Sequence, residues 1–125
     1  MEKIIDGILI VDKEKNMTSR DVVNILSKKF HTKKIGHTGT LDPIATGVLV
    51  LCIGKCTKFV ELLTFLEKEY EATIMLGIQT DTLDNTGTIL KEENALITKE
   101  KIEEVLKSFT KTYMQEVPIY SAVKK

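Results

Sequence analysis

Six apolar residues, VLVLCI (Val48–Ile53), run without interruption between Gly47 and Gly54. The run is far short of the roughly 20 apolar residues a membrane helix needs. Its branched side chains suit a strand better than a helix. A strand that is apolar at every position, and not at every second one, must be covered on both faces. The chain is therefore expected to build a sheet with this strand inside it and helices laid against it.

The flanking segments fill in that picture. GILIVDK, with Ile8, Leu9, Ile10 and Val11 in sequence, reads as a buried strand. NMTSRDVVNILSKKF reads as a helix, with Thr18 and Asp21 at capping-box spacing and an apolar stripe through Val22, Ile25, Leu26 and Phe30. KCTKFVELLTFLEK has helical spacing through Phe59, Leu62, Leu63 and Leu66. YEATIML alternates, with Tyr70, Ala72, Ile74 and Leu76 on one side, which predicts a half-exposed strand with Tyr70 toward the core. GIQTDTLDNTG reads as a polar loop before a short strand near Thr88 to Leu90. TKEKIEEVLKSF predicts a helix capped by Thr98, with Ile102, Val105, Leu106 and Phe109 inward. An extended segment, YMQEVPIYSAVKK, closes the chain. Helices and strands do not alternate strictly, so the expected class is α+β, with a mixed, largely antiparallel sheet and flanking helices.

The chain's 125 residues allow one domain at most. With 42% hydrophobic and 29% charged residues, the composition is that of a folded soluble protein. The N-terminus lacks the pattern of a signal peptide, which places the chain in the cytoplasm, with no membrane partner. Cys52 and Cys56 are too few for a disulfide scaffold or a four-ligand zinc site, and no metal is expected.

Net charge is zero, yet it is unevenly spread. Residues 1–60 carry ten Lys/Arg against six Asp/Glu, and residues 61–125 carry eight against twelve. Within the first half, KKFHTKK (Lys28 to Lys34) gathers four lysines and a histidine. Such a run serves either as a solvated face or as a surface for phosphates.

That basic run leads into GHTGTLDPIATGV (Gly36–Val48), where three glycines, His37, three threonines and Asp42 crowd together ahead of the apolar strand. Known nucleotide-binding patterns do not account for it. The GKC at Gly54 lacks the upstream glycine and the hydroxyl residue of a phosphate loop. GHTG has the GxxG form of a nucleic-acid clamp, but it leads into a strand where that clamp joins two helices. Asp42 precedes proline, a pairing that commonly opens a turn. Pro43 also restricts Asp42 to an extended backbone, so its carboxylate is aimed. Gly36, Gly39 and Gly47 allow a ligand close to the backbone, and Thr38, Thr40 and Thr46 can orient an acid or bind phosphate and ribose oxygens. An aspartate of ordinary pKa is ionised at neutral pH and can act as nucleophile or base.

GHTGTLDPIATGVL resembles the signature of the tRNA pseudouridine synthase B family. GILIVDKEKNMTSRDVV, GKCTKF, KEYEATIMLGIQTDTLDNTG and VPIYSAVK resemble the family's other blocks in the same order, so the similarity runs from about Ile4 to Lys124. The resemblance implies an isomerase that converts the T-loop uridine at tRNA position 55 to pseudouridine, with tRNA as partner and neither cofactor nor metal. It implies that Asp42 is the catalytic carboxylate and attacks the target nucleoside. His37 is implied to pack into the T-loop where the target base has left the stack, and Tyr70 to lie against the flipped uracil. Flipping costs a few kcal/mol, which two stacking contacts of about 1–3 kcal/mol each would offset. Thr38, Gly39 and Thr40 fall in the substrate-facing loop, and Lys13, Lys124 and the KKFHTKK run are implied phosphate contacts.

The chain departs from the family's wording in two ways. Glu14 and Asn16 stand where the family usually has proline and glycine. The family's catalytic domain also continues past YSAVK, through an arginine that pairs with the catalytic aspartate. Residues 1–125 are therefore expected to be the N-terminal part of such a domain, inactive alone. Two alternatives remain open, a non-catalytic RNA-binding or tRNA-folding module and a guide-RNA-dependent relative.

Overall fold

The computed structural model describes residues 5–109 and 112–114. They fall into two compact units, residues 1–69 and 70–125. Among the described residues, three α-helices, one 3-10 helix and two antiparallel sheets make up an α+β fold, as expected. Among the described residues, no helix is long and apolar enough to cross a membrane.

The first unit is a three-stranded sheet. β1 (Gly7–Lys13) and β2 (Ile35–His37) flank β3 (Gly47–Ile53), the strand carrying VLVLCI, and both pair with it antiparallel. The β1–β3 register runs from Gly7 opposite Ile53 to Lys13 opposite Gly47. Because paired residues share a face, Leu9, Val11, Leu49, Leu51 and Ile53 point one way. They form the core with Ile35 and with Val22 and Val23 of α1 (Ser19–Lys29), and Met17, Leu26, Phe30 and Leu41 pack around it.

The opposite face is only part-covered. Cys52 is fully buried, and Val60 lies close enough to Gly36 that a side chain there would press on it. Ile10 and Val48, however, are 67% and 68% exposed. This corrects two expectations, since β1 is not a buried strand and β3 is covered on both faces only from Leu51 to Ile53. The cover on the second face reaches only the end of the sheet where Gly36 pairs with Cys52.

Helix α1 begins where its cap predicts. The Asp21 N–H donates to the Thr18 hydroxyl oxygen at 3.0 Å, and the Thr18 N–H donates to the Asp21 carboxylate at 2.8 Å. Its far end closes in a Schellman motif, the N–H of Thr32 reaching the Ser27 carbonyl and that of His31 reaching Lys28. His31 takes the left-handed conformation (φ 50°) usually filled by glycine.

The helix expected after Gly54 is shorter than its spacing suggests. It consists of a 3-10 helix (Gly54–Phe59) followed by α2 (Val60–Thr64). Leu62, Phe65 and Leu66 are exposed, while Val60, beside Gly36, and Leu63 are half-buried.

The second unit holds a hairpin of β4 (Ile78–Thr80) and β5 (Ile89–Glu92), then α3 (Lys99–Ser108) capped by Thr98. Its loop is braced by Asp84, whose carboxylate accepts from the Thr82 hydroxyl and from the hydroxyl and N–H of Thr86. The expected YEATIML strand does not form, and residues 70–75 have no regular structure. Alternation makes a strand only beside a partner, and none pairs with this segment among the described residues. On α3 only Ile102 is half-buried, while Val105, Leu106 and Phe109 are exposed. Phe109 instead meets Tyr113 edge to face, with ring centroids 5.8 Å apart. Tyr113 and Met114 are not in a strand, and the rest of the expected closing segment lies outside the described residues.

Candidate active site

The glycine- and threonine-rich stretch spans the connection between β2 and β3. Its first residue of interest, His37, ends β2, and its Nδ1 sits 2.7 Å from the Gly39 carbonyl. A carbonyl only accepts, so Nδ1 carries the hydrogen of this bond. Thr38 is buried and its N–H donates to the Val50 carbonyl at 2.9 Å, which extends the pairing with β3 by one residue. Gly39 is half-buried, with the aliphatic stem of Lys68 passing over it, and Thr40 is exposed.

Asp42 does two things at once. Its carbonyl accepts the N–H of Ala45 at 3.0 Å, so it opens a turn with Pro43 at the second position. Its carboxylate is exposed, with no hydrogen bond or ion pair to any described residue. The turn-forming and the reactive readings of this residue are therefore compatible, since main chain serves one and side chain the other.

The backbone on both sides of Asp42 is held by the segment joining β1 to α1. The Leu41 N–H donates to the Ser19 hydroxyl oxygen at 2.9 Å, and that hydroxyl donates to the Leu41 carbonyl at 3.3 Å. The Pro43 carbonyl accepts the N–H of Asn16 at 2.7 Å and Nζ of Lys13 at 3.4 Å. Lys13 also donates to the carbonyls of Met17 (2.7 Å) and Glu14 (2.9 Å). Asn16 manages this in the left-handed region, at φ 65°.

Residues 27–125 match the family described as TruB family pseudouridylate synthase (N terminal domain). The chain belongs to that TruB family. It is also similar to proteins named tRNA pseudouridine synthase B: 45% identical over 120 residues to that of Acholeplasma laidlawii, 49% over 123 to that of Bacillus pumilus, and 48% over 120 to that of Clostridium tetani. These matches take in 96%, 97% and 95% of this chain but 43%, 40% and 42% of the relatives. The chain thus spans about two-fifths of the length of the curated relatives it matches.

Set against the TruB resemblance, the residues expected at the site, Lys13 apart, fall into three groups. His37, Thr38, Gly39, Thr40 and Asp42 lie together on one loop of the first unit. Tyr70 opens the second unit, outside any strand and 67% exposed, which corrects its expected place in a strand facing a core. Lys124 lies outside the described residues.

Lys13 needs a correction of its own. Read from the sequence as a phosphate contact, it is 1% exposed, and its ammonium is turned inward onto three carbonyls. Nothing in the sequence marked this, since Ile8 to Val11 are all apolar; only the fold sets Lys13 after Leu9 and Val11 on the core-facing side. The basic run does reach solvent, with Lys28, Lys29, His31, Lys33 and Lys34 all exposed.

Ser19 and Asn16 were missed by sequence reasoning. The Thr-Ser pair offers two hydroxyls where a helix cap needs one, and asparagine tolerates a left-handed backbone. Both signals were present, but neither says which distant segment is being held.

Proposed function

We propose that residues 1–125 are the N-terminal part of the catalytic domain of a tRNA pseudouridine synthase acting on the T-loop uridine at position 55. The observation that carries this reading is the Asp42 carboxylate, exposed and without a partner among the described residues, on a backbone held at Leu41 and Pro43. A nucleophile has to be free to reach its substrate and yet arrive in a fixed direction.

In this mechanism Asp42 attacks the target nucleoside and the bond from ribose to the uracil nitrogen breaks. The detached base turns and rejoins through carbon, which frees the Asp42 carboxylate. The proton lost from that carbon is matched by one gained at the freed nitrogen. Substrate and product are isomers, so no atom or electron has to be supplied, and the reaction calls for neither cofactor nor metal. His37 fills the space the flipped base leaves in the T-loop, its ring held through Nδ1–H by the Gly39 carbonyl. Thr38, Gly39 and Thr40 line the approach, Tyr70 stacks on the uracil, and Lys124 meets RNA phosphate. The T-stem-loop is the recognised part of the tRNA, and the protein works in the cytoplasm. Free thiols at Cys52 and Cys56 agree with a reducing compartment.

The test is Asp42→Asn in the complete protein that carries these residues, assayed for pseudouridine in a T-stem-loop RNA. Turnover is expected to vanish while RNA affinity holds. Turnover that survives would remove Asp42 from the mechanism.

A further inference from the structure

We propose that Ser19 is a positioning residue for the Asp42 carboxylate, an inference that rests on the pseudouridine synthase reading. The helix does not need this hydroxyl, because Thr18 already supplies the cap. Ser19 is nonetheless 2% exposed, and its Oγ both accepts the Leu41 N–H and donates to the Leu41 carbonyl, across 22 residues of chain. One buried hydroxyl thereby fixes the peptide groups on both sides of Leu41.

The Leu41 carbonyl belongs to the planar peptide that leads into Asp42, so fixing it sets the plane from which the aspartate departs. Beyond Asp42, Pro43 restricts the backbone to extended conformations, and its own carbonyl is taken by Asn16. Asp42 is left with little freedom except its side-chain torsions. Since no described side chain holds the carboxylate, the backbone alone aims it. The clamp is rooted in a rigid element, because Val22 and Val23 of the same helix are buried in the core. Leu41 itself packs against that core.

The test compares Ser19→Ala with Thr18→Ala, which weakens the helix cap without touching Leu41. Amide hydrogen exchange in the 125-residue chain reports the clamp, and single-turnover pseudouridine formation in the complete protein reports its catalytic effect. For Ser19→Ala, exchange across residues 38–46 should rise about tenfold or more while the Val23 and Leu51 amides hold, with a single-turnover rate lowered by a similar factor. RNA affinity should stay within about twofold, and Thr18→Ala should leave the rate within the same margin.

Unchanged loop exchange in Ser19→Ala would overturn the proposal. So would an unchanged rate, a loss of rate matched by lost affinity, or an equal loss in Thr18→Ala. An unsubstituted protein that makes no pseudouridine at saturating RNA overturns the parent reading and this inference with it. That outcome is distinct from a loss confined to Ser19→Ala.

Discussion

The backbone N–H of Asn16 donates to the carbonyl of Pro43 across 2.7 Å, joining the turn after β1 to the residue that follows Asp42. Asn16 holds this bond at φ 65°, a conformation that asparagine and glycine accept and branched residues resist. Asn16→Gly should leave stability nearly unchanged, whereas Asn16→Val should cost about 1–3 kcal/mol. Urea titration checks this, as a drop in midpoint without a change in slope.

Replacing Lys13 by methionine keeps the length of the side chain and removes its donors. The carbonyls of Glu14, Met17 and Pro43 would then lose their shared partner inside the fold. Lys13→Met should destabilise the first unit by about 1–3 kcal/mol, because the part-buried bonds to the Met17 and Glu14 carbonyls are lost, while Pro43 keeps the Asn16 N–H. Thermal unfolding followed by circular dichroism measures it, and an unchanged midpoint would show that these bonds contribute little.

The Asp84 carboxyl is held below its ordinary value of 3.8, first by the Thr86 hydroxyl, then by the Thr82 hydroxyl and the Thr86 N–H. A lowered folded-state pKa means that the carboxylate's contribution is fully present above the unfolded value. It is lost as pH falls through the lower, folded one. The loop between β4 and β5 should therefore keep its order at pH 5 and loosen below about pH 4, and Asp84→Asn should remove that acid step. Amide resonances of Thr82 and Thr86, followed from pH 6 to pH 2, give the answer.

The exposed lysines of the turn from α1 to β2 make RNA binding by the 125-residue chain measurable without catalysis. Affinity for a T-arm RNA should fall steeply with salt, because each neutralised phosphate releases counterions. Lys33→Glu with Lys34→Glu should weaken binding and flatten the dependence on salt by about one unit of slope or more. Filter binding between 50 mM and 200 mM salt, the range over which such contacts show their effect, checks this. No binding at the lowest salt would count against an RNA partner for this unit.

The parts of the fold set by local chemistry were legible in the residues. The Thr18–Asp21 capping box marks the start of α1, Thr98 marks the start of α3, and the unbroken run to Ile53 marks the central strand. What depends on distant partners was not. YEATIML alternates as a strand does, but alternation cannot say whether another strand lies alongside. Ile8 and Ile10 look as buried as Leu9 and Val11, and only the sheet shows which pair faces α1. At the site, Asp42 stood out because proline, glycines and threonines surround it in sequence. Lys13 lies 30 residues from Pro43 and Ser19 lies 22 from Leu41, so only the folded chain reveals those two bonds.

Every bond that Lys13, Asn16 and Ser19 make to the Asp42 loop ends on a main-chain atom, the N–H or carbonyl of Leu41 or the carbonyl of Pro43. Shape and chemistry are thus inherited separately along this loop. The Ile44 side chain takes no part in these bonds, so a change there leaves the path of the loop in place, and the bond from position 16 asks only for an N–H on a left-handed backbone. Descent can rewrite much of the wording here while the carboxylate keeps its aim.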